Sequence, residues 1–90
     1  MISTKQRAYL RSLVAEKTPI MQIGKNGVTE PLIKTLHDAL EAHELIKLSV
    51  LETCPNTPRE VSDALCAALS CDPVQVIGRK ISLYRPASNP

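Results

Sequence analysis

The stretch Ile20-Met21-Gln22-Ile23-Gly24-Lys25-Asn26-Gly27-Val28-Thr29-Glu30-Pro31 holds the strongest structural signal in this chain of 90 residues. It opens with four residues of strand-like character, and the G-x-x-G loop Gly24-Lys25-Asn26-Gly27 follows at once. Glycines let a backbone turn tightly and approach a partner closely. Thr29 is a favourable N-cap residue, and Pro31 is tolerated in a first helical turn. The stretch therefore predicts a strand, an exposed turn and the start of a helix.

The loop also has the composition of a phosphate-binding turn. Lys25 places a cation at its tip, and Asn26 can hydrogen-bond a phosphate or a ribose. Backbone N–H groups in such a turn form a concavity that favours anions. Glu30 and Pro31 weaken the contribution of the helix that follows, because glutamate repels phosphate and proline lacks an N–H donor. The prediction therefore relies on the loop itself, and the alternative is an ordinary glycine turn without a ligand.

An N-terminal helix is predicted upstream of this stretch. Ser3 and Gln6 fit a capping box, so the helix begins just after Ser3. It is predicted to end at Lys17-Thr18-Pro19, because the residue before a proline avoids helical angles. Arg7 and Arg11 stand one turn apart and can therefore point in the same direction.

Downstream of the loop, the second helix is predicted to run to about His43. A strand follows over residues 45–51, with Lys47 on the side opposite its apolar residues. Thr57 and Glu60 form a second capping box, which predicts a third helix. The predicted buried stripe of that helix consists of Val61, Ala64, Leu65, Ala68 and Leu69.

Two short strands are predicted near the C-terminus. They cover residues 74–77 and 81–85, and the turn Gly78-Arg79-Lys80 joins them as a hairpin. The element order is therefore α-β-α-β-α-β-β, which favours an α/β sandwich of two layers. We predict one domain over residues 1–86 and a disordered tail over residues 87–90.

The charges are distributed unevenly, although the net charge is only +2. Residues 1–25 carry five basic groups and one acidic group, and residues 79–90 carry three basic groups and no acid. The middle of the chain, residues 26–78, carries three basic and eight acidic groups. If the two ends meet in the fold, they form a basic surface that attracts a polyanion. A mixed, solvated surface is the alternative.

The composition argues against several other classes of protein. Cys54, Cys66 and Cys71 are odd in number and show no C-x-x-C spacing, which predicts three free thiols and no zinc site. His37 and His43 fit no metal-binding pattern. No apolar run is long enough to span a bilayer, and the N-terminus lacks a signal-peptide pattern. We therefore expect a cytoplasmic protein without a metal or cofactor.

Four blocks of sequence, taken in order, resemble the YhbY-like family, the single-domain bacterial form of the CRM (chloroplast RNA splicing and ribosome maturation) RNA-binding domain. Together they span residues 3–86. The blocks are Ser3-Thr4-Lys5-Gln6-Arg7, Gly24-Lys25-Asn26-Gly27-Val28-Thr29-Glu30, His43-Glu44-Leu45-Ile46-Lys47, and Val74-Gln75-Val76-Ile77-Gly78-Arg79 with Leu83-Tyr84-Arg85-Pro86.

The resemblance implies a four-stranded mixed sheet with the last strand inside it, similar to the C-terminal domain of translation initiation factor three. It also implies binding to structured RNA and, for bacterial members, association with precursors of the large ribosomal subunit (pre-50S). We accordingly predict an RNA-binding protein that is not an enzyme. Its expected partner is large-subunit ribosomal RNA, and it is expected to be a monomer that binds no membrane and no small-molecule substrate.

The residues that would contact RNA come from the loop and from the two basic ends of the chain. Lys47 is either an RNA contact or a solvated strand residue. Tyr9 and Tyr84 are predicted to pack in the core, and shape and phosphate recognition fit the chain better than base stacking. The candidate RNA-binding residues are Arg7, Arg11, Gly24, Lys25, Asn26, Gly27, Arg79, Lys80 and Arg85.

Two other functions are compatible with a small domain of this kind. The first is a protein–protein adaptor in a ribosome-associated complex that makes no direct contact with RNA. The second is a small enzyme acting on a phosphate ligand, although the sequence shows no paired carboxylates, metal ligands or activated nucleophile. A strong salt dependence of binding favours RNA, and a weak one favours the adaptor.

Overall fold

The structure is a computed structural model, and it describes residues 2–87. The order of its elements confirms the predicted α-β-α-β-α-β-β arrangement. None of its helices is both long enough and apolar enough to cross a membrane within the described range. The elements are α1 (Thr4–Val14), β1 (Met21–Ile23), α2 (Glu30–His43), β2 (Leu45–Val50), α3 (Pro58–Leu69), β3 (Asp72–Ile77) and β4 (Lys80–Tyr84).

The four strands form one mixed sheet in the order β1-β2-β4-β3. Strand β1 runs parallel to β2, with Ile23 beside Val50. Strand β4 is antiparallel to both of its neighbours, β2 and β3. The last strand of the chain therefore lies inside the sheet, as the family resemblance implies, and it ties the C-terminal residues to the centre of the fold.

Helices cover the two faces of the sheet unequally. Helices α2 and α3 pack on one face, where Leu36, Leu65 and the strand residues Leu48 and Ile81 join the larger apolar core. These two layers form the predicted sandwich. Helix α1 lies against part of the opposite face, where Leu10 and others form a smaller core. That second face is therefore only half covered by helix.

Both predicted capping boxes are confirmed. Ser3 Oγ accepts the N–H of Gln6 at 3.1 Å, while the Ser3 N–H donates to Gln6 Oε1 at 2.8 Å. Thr57 and Glu60 make the same reciprocal pair at the start of α3. These bonds satisfy N–H groups that a helix start otherwise leaves unpaired. They explain why the two helix starts can be read from local sequence.

Helix α1 ends at Val14, earlier than predicted. Lys47 reaches across from β2, and its Nζ donates to the carbonyl oxygens of Val14 at 3.2 Å and Lys17 at 3.1 Å. A cation at the carbonyl end of a helix is favourable, because it meets the partial negative charge and the unpaired carbonyls there. Lys47 is therefore half-buried and bonded within the fold, and the interpretation as a solvated strand residue is wrong.

The predicted buried residues of the helices are only partly confirmed. Val61, Leu65 and Leu69 are buried in α3, but the alanines at positions 64 and 68 are exposed and Ser62 is buried instead. The prediction that Tyr9 packs in the core is wrong, because 64% of its surface is exposed. Helix α1 buries only a narrow stripe against its half of the sheet, and Tyr9 lies outside that stripe.

The predicted C-terminal tail lies mostly outside the described residues. Residues 88–90 belong to that undescribed part. Ala87, the first residue of the predicted tail, donates its backbone N–H to Glu44 Oε2 at 2.8 Å. The chain therefore remains attached to the domain through residue 87.

Candidate nucleic-acid interface

The Gly24–Gly27 loop is a tight turn between β1 and the start of α2. The N–H of Gly27 donates to the carbonyl oxygen of Gly24 at 2.9 Å. Gly27 has a φ of 63°, a left-handed conformation that side chains with a Cβ rarely adopt. Thr29 then caps α2, and its Oγ1 accepts the N–H of Leu32 at 3.3 Å. The turn is thus held at both ends.

The two glycines of this turn have different roles. Gly27 is buried and needs its positive φ, and a Cβ there would also lie 3.4 Å from Pro55 Cγ. Gly24 has no positive φ, and a Cβ there would make ordinary contacts at 3.6 Å and 3.7 Å to Leu51 and Thr53. The shape of the turn therefore depends on Gly27, whereas Gly24 leaves the backbone open on its outer side.

We expect Gly27→Ala to lower the free energy of unfolding by about 1–2 kcal/mol, the cost of a left-handed conformation for a residue with a Cβ. Gly24→Ala should change that free energy by less than about 0.5 kcal/mol. Gly78→Ala is the matched control for backbone strain without crowding, because Gly78 has a φ of 56° and a Cβ there would meet no atom within 4 Å. Urea unfolding measures the free energy of unfolding of the three variants. Equal values for the Gly27 and Gly24 variants would contradict the unequal roles given to these two glycines.

The tip of the loop presents two polar side chains to solvent. Lys25 and Asn26 are both exposed. Neither side chain makes a hydrogen bond or an ion pair within residues 2–87. They border an open groove of about 410 Å³ that Gln22, Thr29 and Leu51 also line. The charge and the amide at the tip are therefore available to a ligand from outside the chain.

The sheet brings the loop next to the hairpin that joins β3 and β4. The N–H of Leu51 donates to the carbonyl of Ile23 just before the loop, and Arg79 Nη1 donates to the carbonyl of the same Leu51 at 3.3 Å. The carbonyl of Arg79 also accepts the N–H of Val50 at 2.8 Å. These bonds anchor Arg79 at the end of the sheet where the loop stands, and the residue remains exposed.

Lys80 extends this charge onto the sheet face that carries α1. The register places Gln22 beside Ser49 and Ser49 beside Lys80, so the three side chains share one face. Lys80 Nζ donates to Ser49 Oγ at 3.2 Å. By the same alternation Lys47 lies on this face, where it contacts the end of α1. The uncovered half of the face therefore adjoins both the loop and α1.

The two ends of the chain meet in the fold, which was the condition for a basic surface, because Tyr84 of β4 packs against the smaller core that contains Leu10 of α1. Arg7 on α1 donates from Nε to the carbonyl of Pro73 at the start of β3, at 3.1 Å. Arg11 is exposed one turn further along α1, and this helix carries Lys5 as well but no acidic residue. We call the residues Arg7, Arg11, Lys25, Asn26, Arg79 and Lys80 the basic face.

One cation near this face could not be recognised from the sequence. Arg59 stands at the start of α3, and it lines a groove along the exposed edge of β3 together with Arg7. Arg59 lies within the acidic middle of the chain, so the charge pattern contained no signal for it. Only the packing of α3 against β3 brings it close to Arg7.

Arg85 does not join the basic face. Its Nη1 donates to the carbonyl of Leu69 at 2.8 Å, and its Nη2 forms an ion pair with Glu41 Oε1 at 3.0 Å. Nη2 also lies 3.1 Å from His37 Nδ1, and only 15% of the side chain is exposed. The guanidinium therefore connects α2 to the end of α3, on the side of the sheet away from α1.

Most of the acidic residues of the middle segment belong to the two helices of that far side, α2 and α3. Asp38 and Asp63 are exposed on α2 and α3, and Glu41 and Glu60 belong to the same two helices. The structure thus separates an acidic helical side from the basic face. A polyanion would approach the α1 side and be repelled from the other.

The three cysteines are free thiols, as predicted. Cys71 Sγ lies 3.7 Å from Cys66 Sγ at the end of α3 and donates a hydrogen bond to it. That bond lowers the pKa of the Cys66 thiol, and the same bond together with burial raises the pKa of the Cys71 thiol. Within residues 2–87 no group of three or more His, Cys, Asp or Glu side chains could hold a metal ion.

We expect thiol titration of the unfolded, unreduced protein to find about three thiols per chain. In the folded protein Cys66 should react first with iodoacetamide, because it is half-buried and its pKa is lowered, whereas Cys54 and Cys71 are buried. Peptide mapping of the alkylated protein measures the order. A count of one thiol with a mapped disulfide, or faster alkylation of Cys54, would contradict the structure.

Comparison with known proteins supports the resemblance seen in the four sequence blocks. The CRS1 / YhbY (CRM) domain family matches residues 2–85. A Bacillus subtilis protein named "Probable RNA-binding protein YqeI" is 45% identical over 85 residues, which cover 94% of this chain and 88% of the relative. A Haemophilus influenzae protein named "RNA-binding protein" is 35% identical over 86 residues, covering 96% of this chain and 87% of the relative.

A solved structure agrees with the fold. The solution structure of a hypothetical protein from Staphylococcus aureus, described as a candidate RNA-binding protein, matches with a TM-score of 0.81 and 43% sequence identity. The match covers 99% of this chain and 93% of that one. Sequence and structure comparisons thus lead to the same family.

Proposed function

Because the chain belongs to the CRS1 / YhbY (CRM) domain family, we propose that it is an RNA-binding protein that holds structured ribosomal RNA against its basic face. Relatives that match nearly the whole chain carry RNA binding in their names. The observation that carries the proposal is the exposed pair Lys25 and Asn26, which stands on a hydrogen-bonded turn and makes no side-chain bond within residues 2–87.

The basic face would bind the RNA backbone. Lys25 would contact a phosphate as a point charge, and Asn26 would hydrogen-bond a phosphate or a ribose hydroxyl. Gly24 lacks a Cβ and is half-exposed, so the backbone of the RNA can approach the loop closely. Arg79 and Lys80 would continue the contact along the sheet, and Arg7 and Arg11 would continue it along α1. Most of the affinity would come from phosphates and depend little on base sequence.

The family resemblance supports a ribosomal setting for this binding. We propose that the RNA is large-subunit ribosomal RNA within a precursor of that subunit (pre-50S), that the protein acts as a cytoplasmic monomer, and that it performs no catalytic step. The proposed role is to bind RNA on the side of the molecule that carries the basic face. The acidic side formed by α2 and α3 would stay turned away from the phosphates.

Filter binding at several salt concentrations tests this proposal. The probes are a folded fragment of large-subunit ribosomal RNA and a fragment of small-subunit ribosomal RNA of equal length. We expect tighter binding to the large-subunit fragment, because the folded shape of the RNA and not its base sequence would distinguish the two probes. Affinity should fall steeply with salt, at about 0.7 to 0.9 in slope for each phosphate contact. Equal binding to both fragments would contradict the large-subunit role, and absence of binding to either would favour the protein–protein adaptor.

A further inference from the structure

The only two aromatic residues of the chain line the same pocket. The 90-residue sequence contains two tyrosines, Tyr9 on α1 and Tyr84 at the end of β4, and no phenylalanine or tryptophan. Together with Ile2, Gln6 and Leu10 they enclose a cavity of about 220 Å³. Tyr9 is 64% exposed, so a large apolar ring stands in solvent beside the opening. An exposed aromatic side chain above an apolar cavity is typical of a surface that receives a ligand.

The chemistry of the pocket fits a planar ring with polar edges. The two phenol rings offer π-faces, and Leu10 and Ile2 supply apolar walls. Gln6 uses its Oε1 to accept the N–H of Ser3, which leaves its Nε2 group as a hydrogen-bond donor. Nucleobases stack on aromatic side chains and carry acceptors along their edges. The pocket therefore has the chemistry of a site for one unstacked base.

Helix α1, which forms one wall of the pocket, is a basic helix that favours a polyanion. Helix α1, which carries Tyr9, holds Lys5, Arg7 and Arg11 and has no acidic residue in its first turn or elsewhere in Thr4–Val14. Lys80 and Tyr84 stand at opposite ends of β4 and on the same sheet face. Four residue steps separate them, about 13 Å at roughly 3.3 Å per residue. The pocket thus lies on the sheet face that carries Lys80, at the end of the sheet remote from the loop, where Asp72 pairs with Tyr84.

We propose that this pocket takes one unstacked nucleobase from a single-stranded part of the bound RNA, stacked against Tyr9. The proposal rests on the proposed function, because the phosphates of the same RNA would lie on the basic face. It adds a contact of a different kind, since stacking involves no counterion release and does not depend on salt in the way that phosphate contacts do.

Binding of a single-stranded RNA of about 12 nucleotides tests the pocket, a length within the usual site sizes for such strands. We expect Tyr9→Ala to weaken binding by roughly tenfold and to leave the slope of log affinity against log salt unchanged. Tyr9→Phe should bind as the unmodified protein does, because it keeps the ring. Leu13→Ala is the matched control, since Leu13 is 41% exposed on the same helix and does not line the pocket.

Tyrosine fluorescence gives a second measurement, because the chain has no tryptophan and both tyrosines are in the pocket. RNA should quench the emission of the Tyr84→Phe variant, which retains only Tyr9. If Tyr9→Ala binds RNA as tightly as the unmodified protein while Lys25→Gln binds more weakly, the base pocket is wrong and the phosphate-binding face stands. If the unmodified protein binds no RNA, both fail. If Tyr9→Ala converts a dimer to a monomer, the pocket is a contact between copies, and the proposal is overturned.

Discussion

The triple variant Arg7→Gln, Arg11→Gln and Lys25→Gln should bind structured RNA on the order of 100-fold more weakly than the unmodified protein at low salt. Each neutralised cation removes a phosphate contact of about 1 kcal/mol. The slope of log affinity against log salt should become shallower by roughly 2, because about 0.7 to 0.9 is lost per contact. The loss should be similar for RNAs of different sequence. Filter binding over a salt series measures both quantities.

The fold of the triple variant should survive, although Arg7→Gln removes the bond to the Pro73 carbonyl and should cost about 1 kcal/mol. Lys25 and Arg11 are exposed, and exposed charges contribute little to stability. The control neutralises Asp38 and Asp63 as Asp38→Asn and Asp63→Asn. Glu41 and Glu60 are left intact because Glu41 pairs with Arg85 and Glu60 caps α3. The control should bind RNA at least as tightly as the unmodified protein. If the triple variant kept the RNA affinity and the salt slope of the unmodified protein, the basic face would not be the RNA-binding surface.

Arg85→Met should lower the free energy of unfolding by about 2 kcal/mol while leaving RNA affinity unchanged. Methionine keeps the apolar stem but removes the bonds to the Leu69 carbonyl and to Glu41. Hydrogen bonds to charged groups contribute about 1.5–3 kcal/mol, and this ion pair remains partly solvated, with 15% and 24% of the two side chains exposed. Urea unfolding and filter binding provide the two measurements.

Arg59→Met is the control for this stability effect, because Arg59 is an exposed arginine at the start of α3. It should change the free energy of unfolding by less than about 0.5 kcal/mol. If Arg85→Met were as stable as the unmodified protein and bound RNA several-fold more weakly, Arg85 would belong to the RNA contact after all. The comparison therefore decides between the structural role seen in the fold and the role proposed from sequence.

The helix starts could be predicted because their causes are local. Ser3 with Gln6 and Thr57 with Glu60 each place both partners of the capping box within three residues, so the sequence carries the whole interaction. The existence of the strands and the helix after Thr29 followed from short-range periodicity in the same way. The strand order did not follow from periodicity. The position of β4 between β2 and β3 was implied only by the family resemblance.

The features that could not be predicted depend on contacts between distant residues. Tyr9 is exposed because α1 buries only a narrow stripe, Leu10 and Val14. Tyr9 and Tyr84 are far apart along the chain, so the sequence does not show that they line one pocket. Arg85 looks like a terminal cation in the sequence, but β4 carries it to Glu41 on α2. Periodicity in α3 does not distinguish the exposed Ala68 from a buried residue, since both have apolar side chains.

The Gly24–Gly27 loop also has some features that could be predicted from the sequence and others that could not. Its position and exposure were predicted, and the composition explains why Lys25 and Asn26 stand at the tip. The unequal roles of Gly24 and Gly27 depend on φ angles, which the two identical residue types do not reveal. The predicted site therefore combined a loop and cations of α1 and of the hairpin turn, which the structure leaves on the basic face, with one arginine, Arg85, that the fold uses elsewhere.

Photo-crosslinking in cells, with identification of both the attached RNA and the crosslinked peptide, tests the central claim most directly. We predict large-subunit ribosomal RNA attached to the segment containing Lys25 and Asn26, with further crosslinks in α1 and at Arg79 and Lys80. Crosslinks concentrated on the acidic side, around Asp38 and Asp63, or no RNA above the level of an uncrosslinked sample, would contradict the account.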